Sequence, residues 1–193
     1  IQARGESLAG GANANAELMR VELGDLALEG RLDGLRPNQR LTQRFTTTGK
    51  RRELTVWIEH LLLQAAGGAA LPTHLVLRDT DTETRAKLVT FAPVPDAAAE
   101  LRSLTELYRR SREAPVPLLE KSSRLFVEKR AKGDIEKALA AARTELKKMR
   151  RWEPYLGYVF GDADPFDDET WREAFVDASM AVYGPFFEHR SEE

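Results

Sequence analysis

A short run that ends in an acidic residue is the sharpest chemical feature of the sequence. Gly30 to Asp33 read G-x-x-D, within a stretch where apolar and polar residues alternate as in a β-strand. A carboxylate at a strand end can bind Mg²⁺, and phosphodiester hydrolysis relies on such oxygen ligands around one or two metal ions. Asp33 is therefore the candidate metal ligand of the chain.

The residues that should accompany Asp33 in such a site are missing. An Asp-x-Lys pair on the next strand would supply a second carboxylate and a lysine to orient water, but the chain has Gln43–Phe45 there. A single carboxylate is a poor Mg²⁺ site. We therefore expect Asp33 to be a vestige and predict no catalytic residue and no metal site. An active nuclease that uses Glu22 or Lys50 remains an alternative.

Other catalytic and cofactor patterns are also absent from the sequence. The histidines His60, His74 and His189 match no zinc-binding spacing, and there is no G-x-S-x-G serine motif and no glycine-rich loop that precedes Lys-Ser or Lys-Thr. We expect no cofactor in this chain. Cysteine is absent and no apolar run approaches the roughly 20 residues of a membrane span, which favours a cytoplasmic protein.

Two basic clusters with neighbouring aromatic residues could bind DNA. The runs Tyr108–Arg112 and Lys147–Trp152 each end a predicted helix. Aromatic rings beside cations suit single-stranded nucleic acid, although cations at helix C-termini also complement the helix dipole. The candidate DNA-binding residues are Arg109, Arg110, Arg112, Lys147, Lys148, Arg150 and Arg151.

The net charge of −2 hides a strong asymmetry along the chain. Residues 96–152 hold 15 basic and 9 acidic residues, whereas residues 153–193 hold 2 basic and 11 acidic residues. The basic segment could face phosphates. Alternatively, the two segments neutralise each other, as expected for a pure protein-interaction module.

Hydrophobic periodicity predicts a strand-rich part over residues 17–95, preceded by a linker or disordered segment over residues 1–16. Alternating patterns predict five strands, at residues 17–23, 26–35, 39–47, 73–78 and 84–91. Helical spacing predicts one helix between the third and fourth strands, over residues 50–66.

Residues 96–193 have mostly helical patterns. Three helices are predicted at 96–112, at 118–131 and after the capping residues Gly133-Asp134. A last helix should follow Asp168 and stop at Gly184-Pro185. Ten aromatic residues lie between Trp152 and Phe187, and we expect most of them in the core and a few at a partner surface. The fold class is mixed α/β with a helical C-terminal part.

Several segments together resemble the C-terminal domain of RecC proteins, the gamma subunits of exodeoxyribonuclease V. They are Val56–Gly67, Pro115–Ser123, Glu136–Arg143, Pro165-Phe166, the helix with Trp171 and Phe175, and Tyr183–Phe187. Their order and spacing span residues 17–189.

The resemblance implies a single domain over residues 17–193 with a degenerate restriction-endonuclease-like core, similar to the RecB nuclease, that has lost its active site. It implies the RecB and RecD subunits and forked or single-stranded DNA as partners, and no membrane. The implied role is subunit assembly and DNA strand separation in double-strand-break repair by homologous recombination. ATP and Mg²⁺ would act on other subunits. The 73–91 hairpin is one candidate for a strand-splitting pin.

Overall fold

The computed structural model describes residues 15–44, 49–67, 70–78 and 86–193. Three predicted features lie outside these ranges, namely most of the 1–16 linker, Phe45 in the predicted third strand, and the turn of the 73–91 hairpin. Within the described ranges, no helix has the length and apolar character needed to cross a bilayer.

A mixed sheet forms the centre of the N-terminal part, and in the described residues it has six strands in chain order. The strands are β1 (Asn15–Leu23), β2 (Leu26–Arg36), β3 (Gln39–Arg44), β4 (Thr73–Arg78), β5 (Ala86–Phe91) and β6 (Arg190–Glu192). Helix α1 (Gly49–Ala65) connects β3 to β4, which makes this pair parallel, and the other neighbouring strands are antiparallel. The predicted α/β class is confirmed.

The core of this part lies between α1 and the sheet. Strand β4 is apolar on both faces, with Leu75 and Val76 fully buried, as expected for a central strand. Trp57 of α1 is 1% exposed and its ring lies 5.5 Å from that of Phe91 on β5. Burial of each large apolar side chain contributes about 1.5–3 kcal/mol to the stability of the fold, so the apolar face of α1 holds this helix on the sheet.

A glycine bulge bends β2 just after Asp33. The register of β1 against β2 shifts between Asn15 and Glu17, and Gly34 has a φ of +74°. A Cβ at Gly34 would lie 1.9 Å from the Leu41 carbonyl oxygen, so only glycine fits there. As a result β2 pairs with β3 only at Leu35 and Arg36. The rest of the β1–β2 hairpin contacts α1.

The chain divides into two compact units, residues 1–103 with 188–193, and residues 104–187. The helices after β5 are α2 (Ala97–Glu113), α3 (Glu120–Arg130), α4 (Ile135–Met149), α5 (Pro154–Phe160) and α6 (Glu169–Glu188). Asp134 caps α4 as predicted, because its side chain accepts a hydrogen bond from the Glu136 backbone N–H.

The predicted stop at Gly184-Pro185 is wrong, because α6 continues through Pro185 to Glu188. Proline removes one helical hydrogen bond, but the residues around it are held by packing. Phe186 is fully buried, and the Arg124 guanidinium lies 5.1 Å from its ring centroid. Beyond the helix, residues 190–192 form β6 beside β5, a strand that the sequence did not predict.

Candidate functional site

Asp33 lies on the outward face of β2, at the bulge, with a side chain that is 63% exposed. The nearest described cation is the guanidinium of Arg40 on β3. Arg40 Nε donates to the Asp33 carbonyl oxygen at 3.0 Å, and Arg40 Nη2 lies 3.5 Å from Asp33 Oδ1. Backbone and carboxylate of Asp33 therefore both face the same arginine.

Glu59 of α1 supplies a second carboxylate to this arginine. Its Oε2 accepts a hydrogen bond from Arg40 Nη2 at 2.5 Å. The Arg40 side chain is 1% exposed, whereas that of Glu59 is 28% exposed. Here we call Asp33, Arg40 and Glu59 the arginine cluster. Two carboxylates from β2 and α1 thus converge on a buried guanidinium, and no motif in the sequence points to Arg40 or Glu59.

The arginine cluster has the charge pattern of an ion pair rather than of a metal site. Mg²⁺ binding to Asp33 and Glu59 would place a divalent cation next to the fixed positive charge of Arg40. The repulsion would act at close range, because Arg40 Nη2 lies within 3.5 Å of both carboxylates. Over the described ranges, no three His, Asp or Glu residues are grouped so that they could hold a metal ion.

The other residues considered for metal chemistry are not placed beside Asp33. Glu22 pairs with Arg20 at 2.8 Å and lies opposite Ala27 on β2. Six strand positions separate Ala27 from Asp33, or about 20 Å at the usual rise. The side chain of Lys50 lies outside the description, as does Phe45.

His60 of α1 is a buried structural residue. Its Nε2 lies 3.0 Å from the Ala92 carbonyl oxygen, which can only accept, so Nε2 carries the proton. Nδ1 therefore accepts from the Thr73 hydroxyl at 2.9 Å. Burial lowers the pKa of His60 to about 4, and the nearby Arg40 also lowers it. The side chain is fully buried.

A second ionic cluster fastens the last strand to the sheet. The Glu53 side chain on α1 is 2% exposed and accepts from Arg190 Nε of β6 at 2.9 Å. Lys87 of β5 lies 2.6 Å from Glu192, which also binds Arg190. Glu53 and Arg190 are 137 residues apart, and no local sequence pattern links them.

The basic end of α2 is open to solvent. Arg109, Arg110 and Arg112 are all exposed, and Tyr108 is 60% exposed. Arg112 Nη1 donates to the Tyr108 hydroxyl at 3.3 Å. Arg110 forms no ion pair with any described residue. This helix end therefore presents cations and an aromatic ring together, as the sequence predicted.

The basic end of α4 is partly engaged by the acidic segment that follows it. Lys147 Nζ lies 3.6 Å from Asp164, and Lys148 Nζ lies 3.6 Å from Glu145. Arg150 donates to the Ala163 carbonyl oxygen and lies 5.4 Å from the Phe160 ring centroid. Arg151 is exposed and forms no ion pair within the described ranges. The candidate DNA-binding residues at this helix end thus differ in whether contacts within the chain already engage them.

The aromatic residues of the C-terminal part have two different environments. Most are buried or half-buried against each other, and Phe166 and Phe175 have ring centroids 5.0 Å apart. Trp152 and Tyr158 are instead 84% and 90% exposed. Tyr155 is 55% exposed. The expectation that most of these rings form the core is right, and these three are exceptions.

Comparison with known protein families gives one match over much of the chain. The model of the RecC C-terminal domain matches residues 1–131, which include Asp33, the arginine cluster, α1 and the basic end of α2. No curated protein matches the chain. Four segments of the resemblance lie beyond the matched residues: Glu136–Arg143, Pro165-Phe166, the helix with Trp171 and Phe175, and Tyr183–Phe187. The match covers about two thirds of the sequence and confirms the predicted family: the chain belongs to the RecC C-terminal domain family.

Proposed function

We propose that this chain is a non-catalytic domain of the RecC subunit, supporting subunit assembly and guiding DNA strands in the exodeoxyribonuclease V complex. RecC is a subunit of the RecBCD complex, and family membership places the chain in that subunit. The RecB and RecD subunits and forked or single-stranded DNA are its proposed partners, in double-strand-break repair by homologous recombination. ATP and Mg²⁺ act on other subunits in this proposal.

The observation that carries the non-catalytic assignment is the arginine cluster. The carboxylates of Asp33, the candidate metal ligand, and of Glu59 both contact the Arg40 guanidinium. A guanidinium cannot lose its proton at ordinary pH and cannot activate water as a bound metal does. It therefore balances the carboxylates without supplying hydrolytic chemistry.

The topology supports a degenerate restriction-endonuclease-like core. Three strands are followed by α1 and then by β4, which is parallel to β3. This is the element order in which the nuclease family places a carboxylate on the second strand, and Asp33 occupies that strand. The proposal for DNA guidance rests on exposed cations, chiefly Arg110 on α2 and Arg151 after α4.

A cleavage assay tests the non-catalytic assignment. We expect the 193-residue chain to leave linear duplex and single-stranded DNA intact with either Mg²⁺ or Mn²⁺, and Asp33→Asn to behave identically. Glu22→Gln serves as a matched control, because it removes an exposed carboxylate distant from Asp33. Metal-dependent cleavage that Asp33→Asn abolishes would refute the assignment.

A pure protein-interaction module is the second candidate. It is favoured by the contacts of Lys147 with Asp164 and of Arg150 with the Ala163 carbonyl, which engage these cations within the chain. Under this alternative, reversing the charge of Arg150 and Arg151 leaves DNA processing by the assembled complex unchanged. Under our proposal, the reversal slows it.

A further inference from the structure

An exposed aromatic surface lies on α5 and the turn before it. We call Trp152, Tyr155, Tyr158 and Val159 the aromatic face. Tyr155, Tyr158 and Val159 are three or four positions apart on α5 and therefore share one side of this helix. Trp152 lies in the turn before the helix, and Leu156 points inward and is 2% exposed. Large aromatic side chains offer about 150–250 Å² each, so the exposed rings together present several hundred Å². Patches of this size on a monomer are often functional.

The aromatic face directly follows the basic end of α4. Lys147, Lys148, Arg150 and Arg151 precede it, with Glu153 as the one acidic residue between Lys147 and Phe160. The side chains of Lys147 and Lys148 are 63% and 66% exposed. Arg151 is exposed next to Trp152. Exposed rings and exposed cations therefore lie next to each other in this part of the chain.

Intramolecular contacts hold this surface in place before any ligand binds. The Arg150 guanidinium lies over the Phe160 ring at the end of α5 and donates to the Ala163 carbonyl. The Tyr155 hydroxyl donates to Glu153 at 2.5 Å. A preformed surface loses little conformational entropy when a ligand binds.

We propose that the aromatic face is a stacking platform for single-stranded DNA, with Trp152 and Tyr158 stacking on bases and Lys148 and Arg151 binding phosphates. Every base has an aromatic face, so this arrangement binds a single strand with little dependence on sequence. In a duplex the base faces are occupied by neighbouring base pairs, which favours the single strand. The cations that precede these rings also complement the phosphates of a nucleic acid, which favours DNA as the occupant. This inference rests on the proposed role in DNA guidance and names the form of DNA.

The test is a titration of the 193-residue chain with a fluorescent oligothymidylate at low salt. We expect Trp152→Ala and Tyr158→Ala each to weaken binding about tenfold, in line with the stacking contribution of one base. Arg151→Ala should weaken binding and reduce the slope of log K against log salt by about 0.7, as expected for one phosphate contact on a single strand. Because these side chains are exposed, their removal should leave the fold intact, which circular dichroism checks. Leu18→Ala is the matched control, since Leu18 is 72% exposed on β1 and should not matter.

Unchanged oligonucleotide binding by Trp152→Ala and Tyr158→Ala would overturn the inference. If the same variants instead lose their association with the RecB or RecD subunit, the aromatic face is a protein interface. Binding could also be abolished by substituting Arg109, Arg110 and Arg112 while the aromatic variants bind normally. This result would refute stacking on the aromatic face but would agree with the proposed role in DNA guidance. Cleavage by the wild-type chain would refute the proposed function independently of these titrations.

Discussion

Replacing Arg40 by methionine tests the arginine cluster, because methionine fills a similar volume without the charge. The variant loses the Nε hydrogen bond to the Asp33 carbonyl and the Nη2 contact with Glu59. Removing one partner of a buried ion pair typically destabilises a protein by about 3–5 kcal/mol. Glu59 is 28% exposed and water can partly hydrate it, so we expect the lower end, about 3 kcal/mol.

Hydrogen exchange of the backbone amides of β4 is a suitable assay, because this central strand should open only when the sheet unfolds. A loss of about 3 kcal/mol corresponds to roughly 100-fold faster exchange. The matched control is Arg20→Met, since Arg20 is 58% exposed in its ion pairs with Glu22 and Glu29 and should contribute less than about 1 kcal/mol.

The double variant Arg40→Met/Glu59→Gln should exchange more slowly than Arg40→Met alone, because it removes the less exposed carboxylate and leaves beside the methionine only Asp33, whose side chain is 63% exposed to water. Exchange in Arg40→Met that matches exchange in Arg20→Met would refute the reasoning. The buried guanidinium would then not be held by these carboxylates.

Three further predictions concern stability. Gly34→Ala should destabilise the chain by about 2 kcal/mol more than Gly24→Ala, because both glycines have a positive φ but only Gly34 lies against the Leu41 carbonyl; urea unfolding of both variants measures the difference. The pKa of His60 falls from about 6.5 in the unfolded chain to about 4 in the folded chain. The stabilisation of the fold by this neutral histidine is therefore fully present above pH 6.5, and roughly 3 kcal/mol of stability is lost as the pH falls to 4. Unfolding free energies of wild type and His60→Gln at pH 7.5 and 4.5 measure this, and equal pH dependence of the two proteins would contradict it. Pro185→Ala should raise the melting temperature, because alanine restores a helical N–H inside α6; an unchanged or lower value would show that the proline is accommodated without loss.

Elements with a strong local pattern were predictable from the sequence. Strand β4 was predicted at residues 73–78 and has those bounds, and α1 was predicted at 50–66 and spans Gly49–Ala65. In both elements the same pattern of buried positions continues from one end to the other, so the spacing of apolar residues in the sequence predicts the element directly. Asp134 was also predictable as a cap, because capping depends on the adjacent backbone.

Features that depend on distant contacts were not predictable. The short strand β6 has no hydrophobic alternation, and it forms because Arg190 binds Glu53 and pairs with Phe91 of β5. Helix α6 passes through Pro185 because Phe186 and its neighbours are buried, and tertiary packing outweighs the local signal.

The candidate site was predictable in part. Asp33 was identified from its motif, whereas Arg40 and Glu59 were not, because each looks like an ordinary polar residue in its own element. Their pairing across 19 residues arises only when α1 packs on the sheet. The exposure of Trp152 and Tyr158 was equally hard to predict from the sequence, because aromatic residues in a helical pattern usually lie in the core.

Co-purification of the 193-residue chain with its RecB subunit, with and without RecD, tests most directly whether this is an assembly domain. We predict a stable association with at least one of the two subunits, which survives in Asp33→Asn because the exposed Asp33 side chain contributes little to the stability of the fold. A folded chain, verified by protected β4 amides, that associates with neither subunit would contradict the proposed role in assembly.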